Sequence, residues 1–273
     1  EIERCQRVSP RPNFIVLLGD RYGWRPPPAQ IPAAEFQQIL GTLSGAEKAL
    51  LETWYSLDAN AVPPEWRLKP RAKGGPYEPY AGWQPLEVRL QRILGDAAAR
   101  LGFTGDRLLS YIASATEQEI AAGALRVEDA PEHVFCFFRR IEGLPRGYDP
   151  AAGDFLDLDE SDQSVDQEAH DRQAALKQRL AAFLPKRNLS TYPARWTGDG
   201  ITTGHLDLLC ADVYAALEGI ILAEIEKPHE PVSVAAGKAH LRAEDVLDDE
   251  GRLHRAFAEE RLRFFVGRSE MLD

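Results

Sequence analysis

Cysteine is scarce: only Cys5, Cys136 and Cys210 occur in 273 residues. An odd number at wide spacing excludes a disulfide framework and fits a reducing, cytoplasmic setting. No apolar run approaches the ~18 residues of a membrane span and no signal peptide is present, so neither membrane insertion nor export is expected. The Asn188-Leu189-Ser190 sequon matters only in a secreted chain and is read as chance. Base is also in deficit, with 32 Lys and Arg against 43 Asp and Glu giving a net charge of -11. Such a field repels nucleic acid and anionic membrane unless a local basic patch overrides it. Catalytic signatures are missing too. Gly237-Lys238 has no upstream Gly and is followed by Ala239, so there is no phosphate-cradling loop and this stretch alone is not expected to hydrolyse ATP. With no G-x-S-x-G, H-E-x-x-H or paired C-x-x-C, the common hydrolase and zinc readings have no support, and no metal site is expected.

What is present is an ordinary globular composition, 44% hydrophobic and 27% charged, long enough for one large domain or two small ones with a substantial core. Three runs read as strands. Asn13 to Gly19 is almost wholly apolar, as in a strand covered on both faces; His133 to Phe138 has the same character; Asn188 to Trp196 mixes β-branched and aromatic residues. Helical patterns lie between them. Pro32 opens one, Ser44 with Glu47 opens another through Tyr55, and Leu86 to Leu101 and Leu176 to Leu184 repeat at helical spacing. From His205 the positions Leu206, Leu209, Val213, Leu217, Ile220 and Ile221 predict a long closing helix. Strands alternating with helices predict an α/β layered domain.

Two segments interrupt this order. Asn60 to Trp83 holds five Pro and three Gly and is expected to be an irregular excursion. Its Arg67, Lys69, Arg71 and Lys73 alternate with Trp66, Tyr77, Tyr80 and Trp83, which suits either single-stranded nucleic acid or a loop pinned by its rings; the acidic total favours the second. Asp154 to Asp171 carries eight acids and no base. Asp157, Asp159, Ser161 and Glu168 fall at calcium-loop positions, but Asp162 stands where the loop needs Gly, so a solvated lead-in to the next helix is preferred. Beyond Pro228 and Pro231 a charged, helix-rich arm is expected.

Two constellations are candidates for chemistry. Gly19-Asp20-Arg21-Tyr22-Gly23-Trp24 follows the first strand, where open parallel sheets bind ligands; Gly19 permits close approach and Arg21 can grip phosphate. The alternative is a turn whose Arg pairs with a nearby acid and whose rings pack. Ser114 to Ile120 opens a helix before the second strand. Ser114 with Glu117, and Thr116 with Glu119, each satisfy capping-box spacing; both cannot cap, and the remaining carboxylate is free to act as a base or to stabilise a cationic transition state.

The runs Glu1-Ile2-Glu3-Arg4-Cys5, Asn13 through Pro26, Ile31-Pro32 with Glu35-Phe36, Trp54-Tyr55 through Glu65, and Ser114 through Ile120 resemble the TIR-like amino-terminal domain of STAND-class NTPases. That group includes NACHT and WD-repeat proteins, the telomerase-associated protein and nephrocystin relatives. The resemblance covers residues 1 to about 225, and Phe265 to Glu270 is similar to the lead-in to the NTPase of such proteins. It implies a TIR-like, flavodoxin-like, mostly parallel sheet over 1–226 with an insertion at about 60–83, then a helical linker over 227–273 to an NTPase. The family's first strand is not in this sequence, so the chain is expected to be truncated at both ends. The implied role is a signalling or effector module, in bacterial defence or programmed death, that oligomerises when its own downstream NTPase assembles. In TIR enzymes the corresponding helix bears the Glu that cleaves NAD. Carried over, this makes Glu119 catalytic, places Gly19, Asp20, Arg21, Tyr22 and Ser114 against the nucleotide, and makes NAD a substrate, with no cofactor. Thr116 and Glu117 replace the Trp and Cys of that motif.

Overall fold

A computed structural model describes residues 2, 5, 6, 11, 12, 14–159 and 162–226. The chain divides into two compact units, Glu1–Ile225 and Glu226–Asp273. The charged arm, including Phe265 to Glu270, lies outside the described residues, as does Ser161.

The three apolar runs all lie in the first unit and come together as expected. Strands β1 (Ile15–Leu18), β5 (Phe135–Glu142) and β8 (Leu189–Arg195) form one all-parallel sheet in the order β1-β5-β8. Central β5 is covered on both faces, with Cys136 and Phe137 both buried, and reads as a continuous apolar run, whereas Leu17 of edge strand β1 is 63% exposed. On one face Val16, Leu18 and Cys136 pack against Ile120, Ala124, Leu176, Leu180 and Leu184. The elements supplying these are α5 (Ala115–Ile120), the π-helical turn Ala121–Leu125 that extends it, and α7 (Gln167–Phe183) with Leu184 just beyond its end. Each fully buried Leu or Ile there contributes about 1.5–3 kcal/mol. Against the other face lies the long helix α8 (Leu206–Glu226), where the Tyr192 hydroxyl donates to Asp212 at 2.6 Å. No helix among the described residues is long and apolar enough to cross a membrane.

Between β1 and α5 the chain builds a second core that the sequence pattern did not separate. Strands β2 (Gln30–Pro32), β3 (Tyr55–Asp58) and β4 (Glu65–Leu68) pair antiparallel in the order β2-β4-β3. Helices α1 (Ala33–Gly41), α2 (Gly45–Trp54), α3 (Tyr80–Arg100) and α4 (Gly105–Ile112) close over them around Phe36, Leu51, Leu90 and Leu94. The expected irregular insertion at 60–83 is therefore too narrow. Its Glu65–Leu68 is the central strand of this sheet, and its last residues begin α3. The prolines masked a strand whose order comes from Trp66, which faces both Ile31 and Leu57 in register and stacks on Phe36 at 4.5 Å. Other rings of the segment are engaged as well: Tyr77 and Trp83 both pack on Trp54, and Arg71 lies over Trp83. Arg67 pairs with Asp58 and Glu65.

The remaining elements are short: α6 (Ala130–His133), a β6–β7 hairpin (Leu158–Asp159 with Ser164–Val165), and single 3-10 turns at Pro150–Ala152 and Lys186–Asn188. The Asn of the sequon is an internal bracket, since buried Asn188 donates through Nδ2 to the carbonyls of Pro131 and Val134. All three cysteines are free thiols.

Candidate functional site

The turn after β1 sits at the carboxyl end of the parallel sheet, and nearly every donor in it already has a partner. Asp20 accepts the Ile141 N–H at 3.0 Å and Lys177 Nζ at 3.2 Å, tying the turn to β5 and α7. The Gly19 carbonyl accepts Gln173 Nε2 at 2.8 Å. Gly19 does permit a close approach, but the neighbour is a side chain of the same molecule: a Cβ there would stand 2.9 Å from Arg139 Nη2.

Asp157, just before the β6–β7 hairpin, faces the turn. Its two carboxylate oxygens accept the N–H groups of Tyr22 (2.6 Å) and Gly23 (3.0 Å), and half-exposed Arg21 stands 3.5 Å away through Nε. Gly23 has φ +89°, the left-handed conformation that aims its N–H beside that of Tyr22. A pair of backbone donors next to an arginine is an anion cradle, and here an internal carboxylate fills it. Next to it lies a cavity of about 280 Å³ lined by Arg21, Gly23, Arg25, Tyr148 and Asp166. Of the calcium-loop positions, Asp157 and Glu168 have internal partners, and Ser161 lies outside the described residues. Asp157 is committed to the turn, Glu168 pairs with Arg25 and Arg172, and Asp166 caps α7 by accepting the Ala169 N–H. No group of potential metal ligands is found among the described residues.

Tyr22 reaches inward. Its hydroxyl accepts the Ser114 N–H at 3.1 Å and donates to Glu117, whose other oxygen receives Arg179 Nη1 at 2.5 Å. Ser114 Oγ accepts the Glu117 N–H at 3.2 Å. Only half of the expected capping box therefore forms: Ser114 caps α5, while the Tyr22 hydroxyl takes the return bond that Glu117 would have made. Glu117 is only 4% exposed. Burial first, and the bond to Glu117 second, push the Tyr22 phenol up to about 12, and burial pushes the Cys136 thiol up to about 12. Neither is an activated nucleophile at neutral pH.

The structure thus brings Gly19, Asp20, Arg21, Tyr22 and Ser114 into one neighbourhood. Glu119 lies on the exposed face of α5, with no hydrogen bond or ion pair to any described residue. The carboxylate that meets the turn is Glu117, which the capping-box spacing left open beside Glu119 and which the resemblance did not make catalytic. Asp157 and Arg179 were missed as well. The acidic run gave a weak sign of Asp157; Arg179 had no sign at all.

These features define a parallel α/β layer with an inserted helical subdomain and a self-satisfied polar turn. The chain is 28% identical over 213 residues to mouse NACHT and WD repeat domain-containing protein 2, covering 70% of this chain and 12% of that protein. It is 31% identical over 150 residues to mouse NACHT domain- and WD repeat-containing protein 1, and 28% identical over 206 residues to the human form, covering 53% and 73% of this chain. These similarities support a NACHT-associated protein. The chain spans only 9% to 13% of the length of these curated relatives. No protein-family model and no solved structure matches it.

Proposed function

We propose that the chain is the TIR-like signalling module of a NACHT-type NTPase, and that it works by interaction and self-association rather than by covalent chemistry. The observation that carries this reading is the closure of the polar turn. Glu117, Asp157 and Asp20 are each occupied by internal donors, so the carboxylates that surround the turn serve to join β1, α5, α7 and the β6–β7 hairpin. A signalling surface needs such a rigid frame and no free nucleophile. The implied partners are the protein's own NTPase and, on activation, further copies of itself. The test is the mass of the full-length protein by light scattering, with and without nucleoside triphosphate. Assembly that is lost when this region is deleted supports the role; assembly unchanged by the deletion contradicts it.

A second reading is NAD glycohydrolysis by Glu119, with Arg21 on the phosphates. One observation favours it: Glu119 is exposed and unengaged. Nicotinamide release that disappears in Glu119→Ala would establish it.

A further inference from the structure

On the opposite side of the sheet from α5 and α7, a second cavity of about 240 Å³ lies between the strands and the start of α8. Its walls are mostly apolar, with Leu17 and Phe137 from the sheet and Leu206 and Leu209 from the first turn of the helix. Beside Tyr192, whose hydroxyl is given to Asp212, two further polar side chains line it, Arg139 and His205. Both are incompletely satisfied, for Arg139 Nε and His205 Nδ1 are enclosed and have no hydrogen-bond partner.

Arg139 is the unusual member. It is in the central strand of the sheet, opposite Tyr192 in register, where an aliphatic residue would be expected. No carboxylate in the described residues pairs with it. Its guanidinium rests where Gly19 has no side chain and lies 5.4 Å from the centre of the Phe155 ring. Only Nε of the guanidinium is enclosed and the residue as a whole is half-buried, so the cation is partly stripped of water, and a counter-charge would offset that loss. The nearby acids are committed elsewhere: Asp20 to Ile141 and Lys177, and Asp212 to Tyr192. The positive end of the α8 dipole adds to the same field.

We infer that this cavity binds a small organic anion, its oxyanion on Arg139 and its apolar body between Phe137, Leu206 and Leu209. Carboxylates and phosphate monoesters share the geometry that a guanidinium grips. The volume falls below the roughly 300 Å³ at which pockets for drug-sized ligands begin, so a dinucleotide is too large. His205 Nδ1 supplies a donor or an acceptor to the ligand according to its tautomer. The site meets the turn after β1 at Gly19, and it does not depend on the signalling role.

The test is a titration of the whole chain with benzoate, phenyl phosphate and inorganic phosphate, followed by calorimetry and by amide shifts at Phe137 and Leu209. Saturable binding of benzoate, phenyl phosphate or both is expected, at least tenfold tighter than inorganic phosphate; which of the two binds identifies the oxyanion. Arg139→Gln should weaken binding tenfold or more. Leu209→Trp, which fills the cavity and leaves the guanidinium in place, should abolish it and decides the matter if Arg139→Gln does not fold. Absence of saturable binding by either aromatic anion, equal binding of inorganic phosphate, or unchanged affinity in folded Arg139→Gln or in Leu209→Trp would overturn the inference.

Discussion

The Tyr22 hydroxyl stands between Ser114 and Glu117, accepting from the backbone of one and donating to the carboxylate of the other. Tyr22 is 2% exposed, so no water replaces either bond when the hydroxyl is removed. Tyr22→Phe leaves a buried N–H and a buried carboxylate oxygen without partners, a loss of about 1–3 kcal/mol. Urea unfolding should show a lower midpoint with an unchanged slope. An unchanged midpoint would mean that the relay contributes nothing to stability.

The same residue sets an alkaline limit. Its phenol is raised from 10.0 to about 12 in the folded chain. Its contribution is therefore complete below pH 10 and is lost as pH rises through about 12. Stability measured across that interval should fall more steeply for the wild type than for Tyr22→Phe, which has no phenol to ionise at this position. Parallel curves would refute the assignment.

Asp157 closes the turn from a distant part of the chain. Asp157→Ala frees the N–H groups of Tyr22 and Gly23, and hydrogen exchange at those two amides should accelerate at least tenfold, with about 1–3 kcal/mol of stability lost. Asp157→Asn keeps one acceptor and should fall between. Protection that survives in Asp157→Ala would show that the turn holds itself.

Two glycines distinguish a yielding neighbour from a rigid one. A Cβ at Gly19 meets the tip of Arg139, which can swing aside, whereas a Cβ at Gly123 meets the Phe14 ring at 2.5 Å. Gly123→Ala should cost about 1–3 kcal/mol through overpacking, and Gly19→Ala less than about 1 kcal/mol. Thermal unfolding of the pair checks the order, and the reverse order would contradict the packing described.

The legible parts of the fold were those whose order is local. Ile15–Leu18, Phe135–Glu142 and Leu189–Arg195 read as strands because each is a short run of apolar, β-branched or aromatic residues, and central Phe135–Glu142 buries both Cys136 and Phe137. The antiparallel sheet was illegible because its strands are short and proline-flanked, and Trp66 finds its place only through register with Ile31 and Leu57. At the site, Ser114 could be read as a cap from its spacing to Glu117. The Tyr22 bond to Glu117 spans 95 positions and the Asp157 bond to Tyr22 spans 135. No periodicity reports on such pairs. Glu119 was chosen by motif, and burial then distinguished it from Glu117.

The most direct measurement is nicotinamide release from NAD by the full-length protein under conditions that assemble its NTPase, comparing wild type with Glu119→Ala and Glu117→Gln. A frame built for interaction predicts no release above the protein-free rate from any of the three, with assembly retained in Glu119→Ala. Release by the wild type that is lost in Glu119→Ala would contradict it and make the exposed face of α5 a catalytic surface.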